Sequence, residues 1–224
     1  MWNILSYDEI KIKSRVEPRL IAPMISLFLY FKGGNMKVFI ASAANLDIDE
    51  KYLELARNVS EVFAKNNFDL LFGAGHYSMM GECYDTFVNY NRRVYAYTVP
   101  KWERDFLKLP KAKCVKVSDT LLRFRKLYFD SDFVVILPGG IGTLAEFTCA
   151  VEEYRSSGGN KRIILYNLDG YYDSLINWMK DNIETKFFKD DLSDCYEIVS
   201  NINELENIID NYVKNIKISK KFKK

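Results

Sequence analysis

The chain has 224 residues, of which 48% are hydrophobic and 28% are charged. This length and composition predict one globular domain with an ample core, and they exclude a mostly disordered chain. The 32 basic and 30 acidic residues leave a net charge of +2, so no strong field favours a nucleic acid or an anionic membrane as partner. A small-molecule ligand is the favoured partner class, with no nucleic acid and no membrane.

The cysteines and histidines restrict the chemistry further. The four cysteines lie far apart without a CxxC spacing, which argues against a disulfide framework or a zinc knuckle. His76 is the only histidine, so a histidine-rich metal site is excluded and any His-based triad would depend on this residue. We therefore expect a cytoplasmic protein without a bound metal.

The first 35 residues carry none of the motifs described below. Residues 20–31 form a mostly apolar run that is too short to span a bilayer and contains Pro23. A signal peptide is opposed by the acidic residues before the run and by the lack of a small-residue cleavage site after it. We expect an N-terminal extension at residues 1–35, one catalytic domain at residues 36–216 and a solvated basic tail at residues 217–224.

Apolar strands alternate with helical patterns along the central part of the chain. Strands are predicted at residues 37–44, 69–72, 93–99, 114–117, 133–137 and 162–167, and helices at residues 47–65, at residues 119–129 and from residue 143 onwards. The alternation predicts an α/β fold, a Rossmann-like doubly wound parallel sheet with helices on both faces. Ligands are expected at the carboxyl ends of the strands.

A first Gly-rich turn, GAGHYSMMG at residues 73–81, follows the strand at residues 69–72. It fails as a dinucleotide fingerprint because Ser78 stands where the third glycine is needed and no clear acidic partner for a ribose follows. It is not a P-loop either, since no GK[ST] is present. The sequence therefore predicts no nicotinamide cofactor and no other cofactor.

A second Gly-rich turn, LPGGIGTLAE at residues 137–146, follows the apolar run FVVIL. The motif matches a capping box in which Thr143 opens a helix and Glu146 closes the box. Free N–H groups and the helix dipole make such a place a natural phosphate site, and the carboxylate of Glu146 lies one turn inside it. The residues expected to hold the phosphate are Gly139, Gly140, Gly142 and Thr143.

These motifs resemble a known family. PGGIGTLAE resembles the PGGxGTxxE signature of the Lonely Guy phosphoribohydrolases, long labelled lysine-decarboxylase-like, which release a base from a nucleoside 5′-monophosphate. Residues 73–81 are similar to the family's GGGxxGLMG segment, and residues 168–175 (LDGYYDSL) are similar to its strand-exit segment. In the first of these, Gly73, Gly75, Met80 and Gly81 match, whereas Ala74, Ser78 and Met79 depart.

The resemblance covers residues 36–211 and implies further assignments. It places Gly75 and Met80 in the substrate site, and it implies an essential arginine, which Arg123 matches by its offset before PGG although Phe124 replaces the usual lysine. It also implies a homodimer that acts on an adenine-type or cytokinin-type nucleotide. Nothing in the sequence identifies a cofactor-anchoring lysine, so the decarboxylase label has little support.

The catalytic assignment rests on two side chains. Cleaving an N-glycosidic bond requires a carboxylate and stabilisation of a cationic sugar, and Glu146 is the obvious carboxylate. Arg123 is expected to bind phosphate, to orient Glu146 or to stabilise the charge on the departing base, provided that the tertiary fold brings it to the site. The non-catalytic alternatives are that Glu146 only closes a capping box, that Arg123 lies on a helix surface and that His76 lines the loop.

Three functions remain open from the sequence. The first is a hydrolase that splits a nucleoside 5′-monophosphate into free base and ribose 5-phosphate. The second is a glycosyl-transfer enzyme of the nucleoside deoxyribosyltransferase kind, with Glu146 as nucleophile. The third is a non-catalytic nucleotide-binding module that keeps the phosphate loop and uses Glu146 as a cap.

Overall fold

The structure is a computed structural model, and it describes residues 35–157, 159, 161–188 and 192–221. The extension predicted at residues 1–35 lies outside the described residues except for Asn35, and so do residues 222–224 of the predicted basic tail. The backbone of the last helix continues to Lys221 and so includes the first part of that tail. None of the helices in the described ranges has the length and apolar composition that a bilayer crossing requires.

A parallel sheet forms the centre of the molecule. Its strands are β1 (Lys37–Ala41), β2 (Asp69–Phe72), β3 (Val94–Thr98), β4 (Ala112–Lys116), β5 (Phe133–Ile136), β6 (Arg162–Tyr166) and β7 (Glu197–Val199). They lie in the order β4-β3-β2-β1-β5-β6-β7, and every neighbouring pair is parallel. The sheet confirms the predicted Rossmann-like architecture.

Helices cover both faces of this sheet. They are α1 (Glu50–Lys65), α2 (Ser78–Asn89), α3 (Glu103–Phe106), α4 (Thr120–Asp130), α5 (Ile141–Ser157), α6 (Asp173–Glu184) and α7 (Ile202–Lys221), with 3₁₀ turns at Pro100–Trp102, Leu168–Gly170 and Leu192–Asp194. Helices α1, α2 and α7 bury apolar side chains on one face, and α4, α5 and α6 do so on the other.

The central strands are apolar throughout because both of their faces are covered. In β1, Val38 and Ile40 face the core under α1 and α2, whereas Phe39 and Ala41 face the core under α4 and α5. All four side chains are at most 1% exposed. Burying one large apolar side chain stabilises the fold by about 1.5–3 kcal/mol, so these strands anchor the loops that follow them.

The start of α5 corrects one sequence-based prediction. Thr143 does not open this helix: the helix begins at Ile141, and the Leu144 N–H donates to the Gly140 carbonyl at 3.0 Å. The capping-box prediction is wrong because Gly140 occupies the capping position, which places Thr143 and Glu146 three residues deeper in the helix than the motif suggests. Both of their side chains are buried, at 5% and 4% exposure.

The strand order reverses between β1 and β5, because β2 to β4 are added on one side of β1 and the chain then returns to place β5 on the other side. The strands β1 to β4 extend to one side of this point, and β5 to β7 extend to the other. In such sheets ligands bind in the crevice outside the carboxyl ends of the strands at the reversal. The connections after β1 and β5, with their following helices α1 and α5, border this crevice.

Candidate active site

The loop at residues 137–140 joins β5 to α5 in the crevice. A Cβ atom added to Gly139 would lie 2.7 Å from the Cβ of Thr143 and closer still to its Oγ1, so this position requires glycine. The backbone N–H groups of residues 140–143 have no partner within the helix, because the first intrahelical bond is donated by Leu144. Together with the helix dipole, these four donors favour an anion.

Glu146 lies in the second turn of α5, one turn further along the helix than these donors. Its Oε1 atom is 3.6 Å from Nη2 of Arg123, and both side chains are less than 10% exposed. Burial raises the pKa of the Glu146 carboxyl to about 7, while the positive charge of Arg123 opposes that rise. The carboxyl can therefore change its protonation state near neutral pH, as a catalytic acid or base must.

Arg123 reaches the site from the first turn of α4. Asp119 caps this helix by accepting the Leu122 N–H at 2.8 Å, and the helix begins beside the carboxyl end of β4. The N-terminal part of the connecting helix thus faces the crevice even though its other end leads into the amino end of β5. The fold brings Arg123 to Glu146 in this way, and the alternative of a surface arginine is wrong because Arg123 is 7% exposed.

The guanidinium of Arg123 has weak contacts for a buried cation. Nη1 donates to the Gly73 carbonyl at 3.4 Å, and the group lies over the ring of Trp102 at 4.8 Å. Among the described residues, Nε has no hydrogen-bond partner. Burial lowers the pKa of the guanidinium, and the charge of Glu146 opposes this. Such a group gains from a further anionic partner because its buried donors are otherwise poorly satisfied.

The first Gly-rich turn contributes the opposite wall. Cβ positions built on Gly73 and Gly75 approach Met80, at 3.6 Å from its Cε and 2.6 Å from its Sδ respectively, and the Gly73 position is 3.5 Å from Nη1 of Arg123. The structure therefore brings Gly73 next to Arg123, with Met80 beside Gly73, and Gly75 packs against Met80. Ala74 and Ser78 have φ angles of 66° and 54°, in the left-handed region that favours glycine. These are two of the positions at which the sequence departs from the family's glycines.

His76 lies in the same turn, with its ring against that of Tyr77 at a centroid distance of 3.4 Å. Its assignment as a loop-lining residue stays a prediction. Within the ranges that the structure describes, no group of three or more His, Cys, Asp or Glu side chains is arranged to hold a metal ion.

Sequence reasoning missed three aromatic residues at the site. Trp102 covers the guanidinium of Arg123, and Tyr171 and Tyr172 donate hydrogen bonds to the carbonyls of Gly139 and Leu137 at 2.9 and 2.8 Å. The resemblance of residues 168–175 to the family's strand-exit segment marked the two tyrosines without indicating a role. Nothing in the local sequence indicates a role for Trp102, because its contact with Arg123 depends on where the fold places the first turn of α4.

Comparison with known proteins places the chain in a family. Residues 80–209, more than half of the chain, match the family described as "possible lysine decarboxylase". The chain belongs to this family. The matched residues include Met80, Arg123, the 137–140 loop and Glu146, and the match confirms the lysine-decarboxylase-like resemblance.

Relatives within the family are named for one activity. A cytokinin riboside 5′-monophosphate phosphoribohydrolase of Arabidopsis thaliana is 26% identical over 178 residues, which are 79% of this chain and 82% of the relative. The protein of the same name from Mycobacterium tuberculosis is 27% identical over 158 residues, 68% of this chain and 82% of the relative. A rice relative is 28% identical over 140 residues, and these span only 56% of that protein's length.

Solved structures with the same fold are more distant in sequence. The molybdenum cofactor carrier protein of Chlamydomonas reinhardtii superposes with a TM-score of 0.59 at 12% identity, over 80% of this chain and 99% of that chain. DNA processing protein A of Streptococcus pneumoniae superposes with a TM-score of 0.51 at 11% identity, over 76% of this chain and 60% of that chain. At these identities the likeness concerns the fold alone.

Proposed function

We propose that the protein is a phosphoribohydrolase that cleaves the N-glycosidic bond of a nucleoside 5′-monophosphate, of the adenine or cytokinin type, to free base and ribose 5-phosphate. The observation that carries the proposal is the buried pair of Glu146 and Arg123 beside the N-terminus of α5. The names of the Arabidopsis and Mycobacterium relatives support the same reaction class.

The proposed binding mode starts from the phosphate. The N–H groups of residues 140–143 and the hydroxyl of Thr143 receive the 5′-phosphate at the positive end of α5, with Gly139 and Gly142 allowing close approach. Holding the phosphate there directs the ribose toward the second turn of the same helix, where Glu146 lies. Gly75 and Met80 then line the wall that faces the sugar and the base. Fixing the ribose in this way lowers the entropic part of the barrier.

The proposed reaction uses the carboxylate of Glu146 in its ionised form. As the bond between C1′ and the base nitrogen breaks, its electron pair leaves with the base and positive charge develops on the sugar. The carboxylate stabilises that charge and accepts a proton from the water whose oxygen bonds to C1′, and transfer of this proton to the departing base nitrogen gives the neutral free base. Arg123 favours the ionised form of Glu146, and its Nε, which has no partner in the described part of the chain, is a donor for the departing base or the phosphate.

Product analysis tests this proposal. The full-length protein is incubated with AMP, GMP, IMP, CMP, UMP, a prenylated AMP and adenosine, each with and without a second free base, and the products are separated by chromatography. We expect free base and ribose 5-phosphate from adenine-type nucleotides without any acceptor, and little turnover of adenosine, which lacks the phosphate. Turnover that requires the second base would indicate a transferase, and binding without turnover would indicate a nucleotide-binding module; either result contradicts the proposal.

A further inference from the structure

Two consecutive tyrosines, Tyr171 and Tyr172, hold the 137–140 loop by its carbonyl groups. The hydroxyl of Tyr171 donates to the Gly139 carbonyl at 2.9 Å, and the hydroxyl of Tyr172 donates to the Leu137 carbonyl at 2.8 Å. Both come from the turn between β6 and α6, outside the loop and outside α5. The loop is therefore anchored from one side by a neighbouring connection of the sheet.

The bond from Tyr171 also orients a backbone donor. In a planar trans peptide, the carbonyl of one residue and the N–H of the next point in opposite directions. Fixing the Gly139 carbonyl toward Tyr171 therefore turns the Gly140 N–H away from Tyr171. Gly140 caps α5, and its N–H is one of the four without an intrahelical partner.

The bond from Tyr172 to the Leu137 carbonyl has no such effect on the Gly140 N–H, and the further contact of this hydroxyl is with the backbone of Gly139, whose N–H belongs to the preceding peptide. The N–H position opposite the Leu137 carbonyl belongs to Pro138, which has no N–H to orient. Tyr172 is 6% exposed, and its bond satisfies a buried carbonyl at the base of the loop. The two hydroxyls thus make similar bonds with different consequences.

The turn that presents Tyr171 is itself tightly held. Asp169 adopts a φ angle of 51°, and a Cβ on Gly170, at φ 73°, would fall 2.5 Å from Oδ2 of Asp173. Lys51 from α1 pairs with Asp169 at 2.8 Å, and the ring of Tyr52 packs edge-on against that of Tyr171 at 6.0 Å. Strained turns persist where surrounding contacts define them, and they cluster at ligand sites.

We infer that Tyr171 is a positioning residue for anion binding: its hydroxyl aims the Gly140 N–H at the 5′-phosphate. The inference rests on the proposed function, because it assumes that an anion occupies the N-terminus of α5. Tyr171→Phe keeps the ring and its contact with Tyr52 but frees the Gly139 peptide to rotate. The peptide then has to be ordered when the anion binds, and this entropic cost weakens the affinity for the anion.

The test compares Tyr171→Phe with its neighbour Tyr172→Phe in the full-length protein. Binding of ribose 5-phosphate and AMP, and of adenosine as the phosphate-free ligand, is measured by calorimetry, and thermal unfolding is recorded for each variant. Losing one oriented hydrogen bond to a charged group predicts about a five- to tenfold weaker affinity of Tyr171→Phe for ribose 5-phosphate. Its affinity for adenosine is expected to stay unchanged.

Tyr172→Phe is the matched control. It leaves a buried carbonyl without its donor, so we expect a lower unfolding temperature and nearly unchanged preference for AMP over adenosine. The inference would be overturned if Tyr171→Phe bound ribose 5-phosphate with wild-type affinity. It would also be overturned if Tyr171→Phe lost as much affinity for adenosine as for ribose 5-phosphate, or if Tyr172→Phe lost as much affinity for ribose 5-phosphate as Tyr171→Phe. If the wild-type protein itself fails to bind ribose 5-phosphate, the phosphate site of the proposed function is wrong and the inference falls with it.

Discussion

At Glu146, burial and a neighbouring charge act on one carboxyl group in opposite directions. Removal from water favours the neutral acid, whereas the guanidinium of Arg123 at 3.6 Å favours the carboxylate. Burial has the larger effect, and the pKa rises to about 7. A side chain that only capped the helix would lie at its first turn and in contact with solvent.

Replacing Glu146 by Gln tests the catalytic role. The amide retains the size of the side chain but can act neither as a base nor as a charge that stabilises a cationic sugar, so we expect turnover to fall by roughly two orders of magnitude or more. Nucleotide binding, measured by calorimetry, is expected to survive. Glu152→Gln, at an exposed position of the same helix, should retain full turnover. If Glu146→Gln turned over at the wild-type rate, the hydrolase mechanism would be wrong.

The pH dependence of turnover follows from the same pair. Since the reaction uses ionised Glu146, kcat/KM should rise with pH through about 7 and level off above it. Arg123 lowers the pKa of Glu146, so Arg123→Gln should move the midpoint to higher pH. Arg123→Lys keeps the charge and should leave the midpoint near 7 while losing rate, because an ammonium lacks the planar fork. A rate that falls with pH in this range would instead indicate that Glu146 acts as the acid.

At the scale of single elements, the connection between β5 and α5 places its glycines for different reasons. Gly139 is needed because Thr143 leaves no room for a Cβ, whereas Gly142 lies in the first turn of α5 with no neighbouring atom within 4 Å of an added Cβ. Glycine is therefore required by packing at position 139, whereas at position 142 it only carries the usual helix-propensity penalty of glycine.

Gly139→Ala and Gly142→Ala form a matched pair for stability. Crowding against Thr143 should lower the free energy of unfolding by about 1–3 kcal/mol in Gly139→Ala. In Gly142→Ala the open position and the better helix propensity should raise it by about 0.5–1 kcal/mol. Chemical denaturation followed by circular dichroism measures both. Equal stability of the two variants would contradict the close packing of Gly139 on Thr143.

At the scale of the whole molecule, we predict a homodimer. The family resemblance implies one, and apolar side chains stay exposed on α4 and at the start of α5: Leu121, Leu122, Phe129 and Ile141. Leu122 and Phe129 are seven residues apart and so share a face of α4. Light scattering at micromolar concentration should give twice the mass of one chain. A monomer under these conditions would show that the exposed side chains do not form a subunit interface.

The N-terminal extension offers a second prediction at this scale. Residues 1–35 carry no motif residue, and β1 begins at Lys37, so deleting them should leave folding and turnover intact. Thermal unfolding and turnover of the truncated and full-length proteins provide the comparison. Insoluble or inactive truncated protein would assign the extension a structural role.

The sequence by itself determined the features that depend on local patterns. Apolar runs bounded by turn residues predicted six of the seven strands and not β7, and the central ones were recognisable because a strand covered on both faces must be apolar along its length. The Gly-rich turn at residues 137–142 was identifiable in the same way, since several glycines between a strand and a helix indicate a close backbone approach. The capping motif misplaced the start of α5, because its spacing is also satisfied by two buried residues deeper in the helix.

Only the tertiary structure decided how the site is assembled. Arg123 meets Gly73, Trp102 and Glu146 because α4 starts at the carboxyl edge of the sheet, and Tyr171 meets Gly139 because β6 lies beside β5. The raised pKa of Glu146 is likewise a consequence of burial by residues that are distant in the chain. Such properties depend on which strands are neighbours, and strand order is set by long-range packing that local periodicity does not encode.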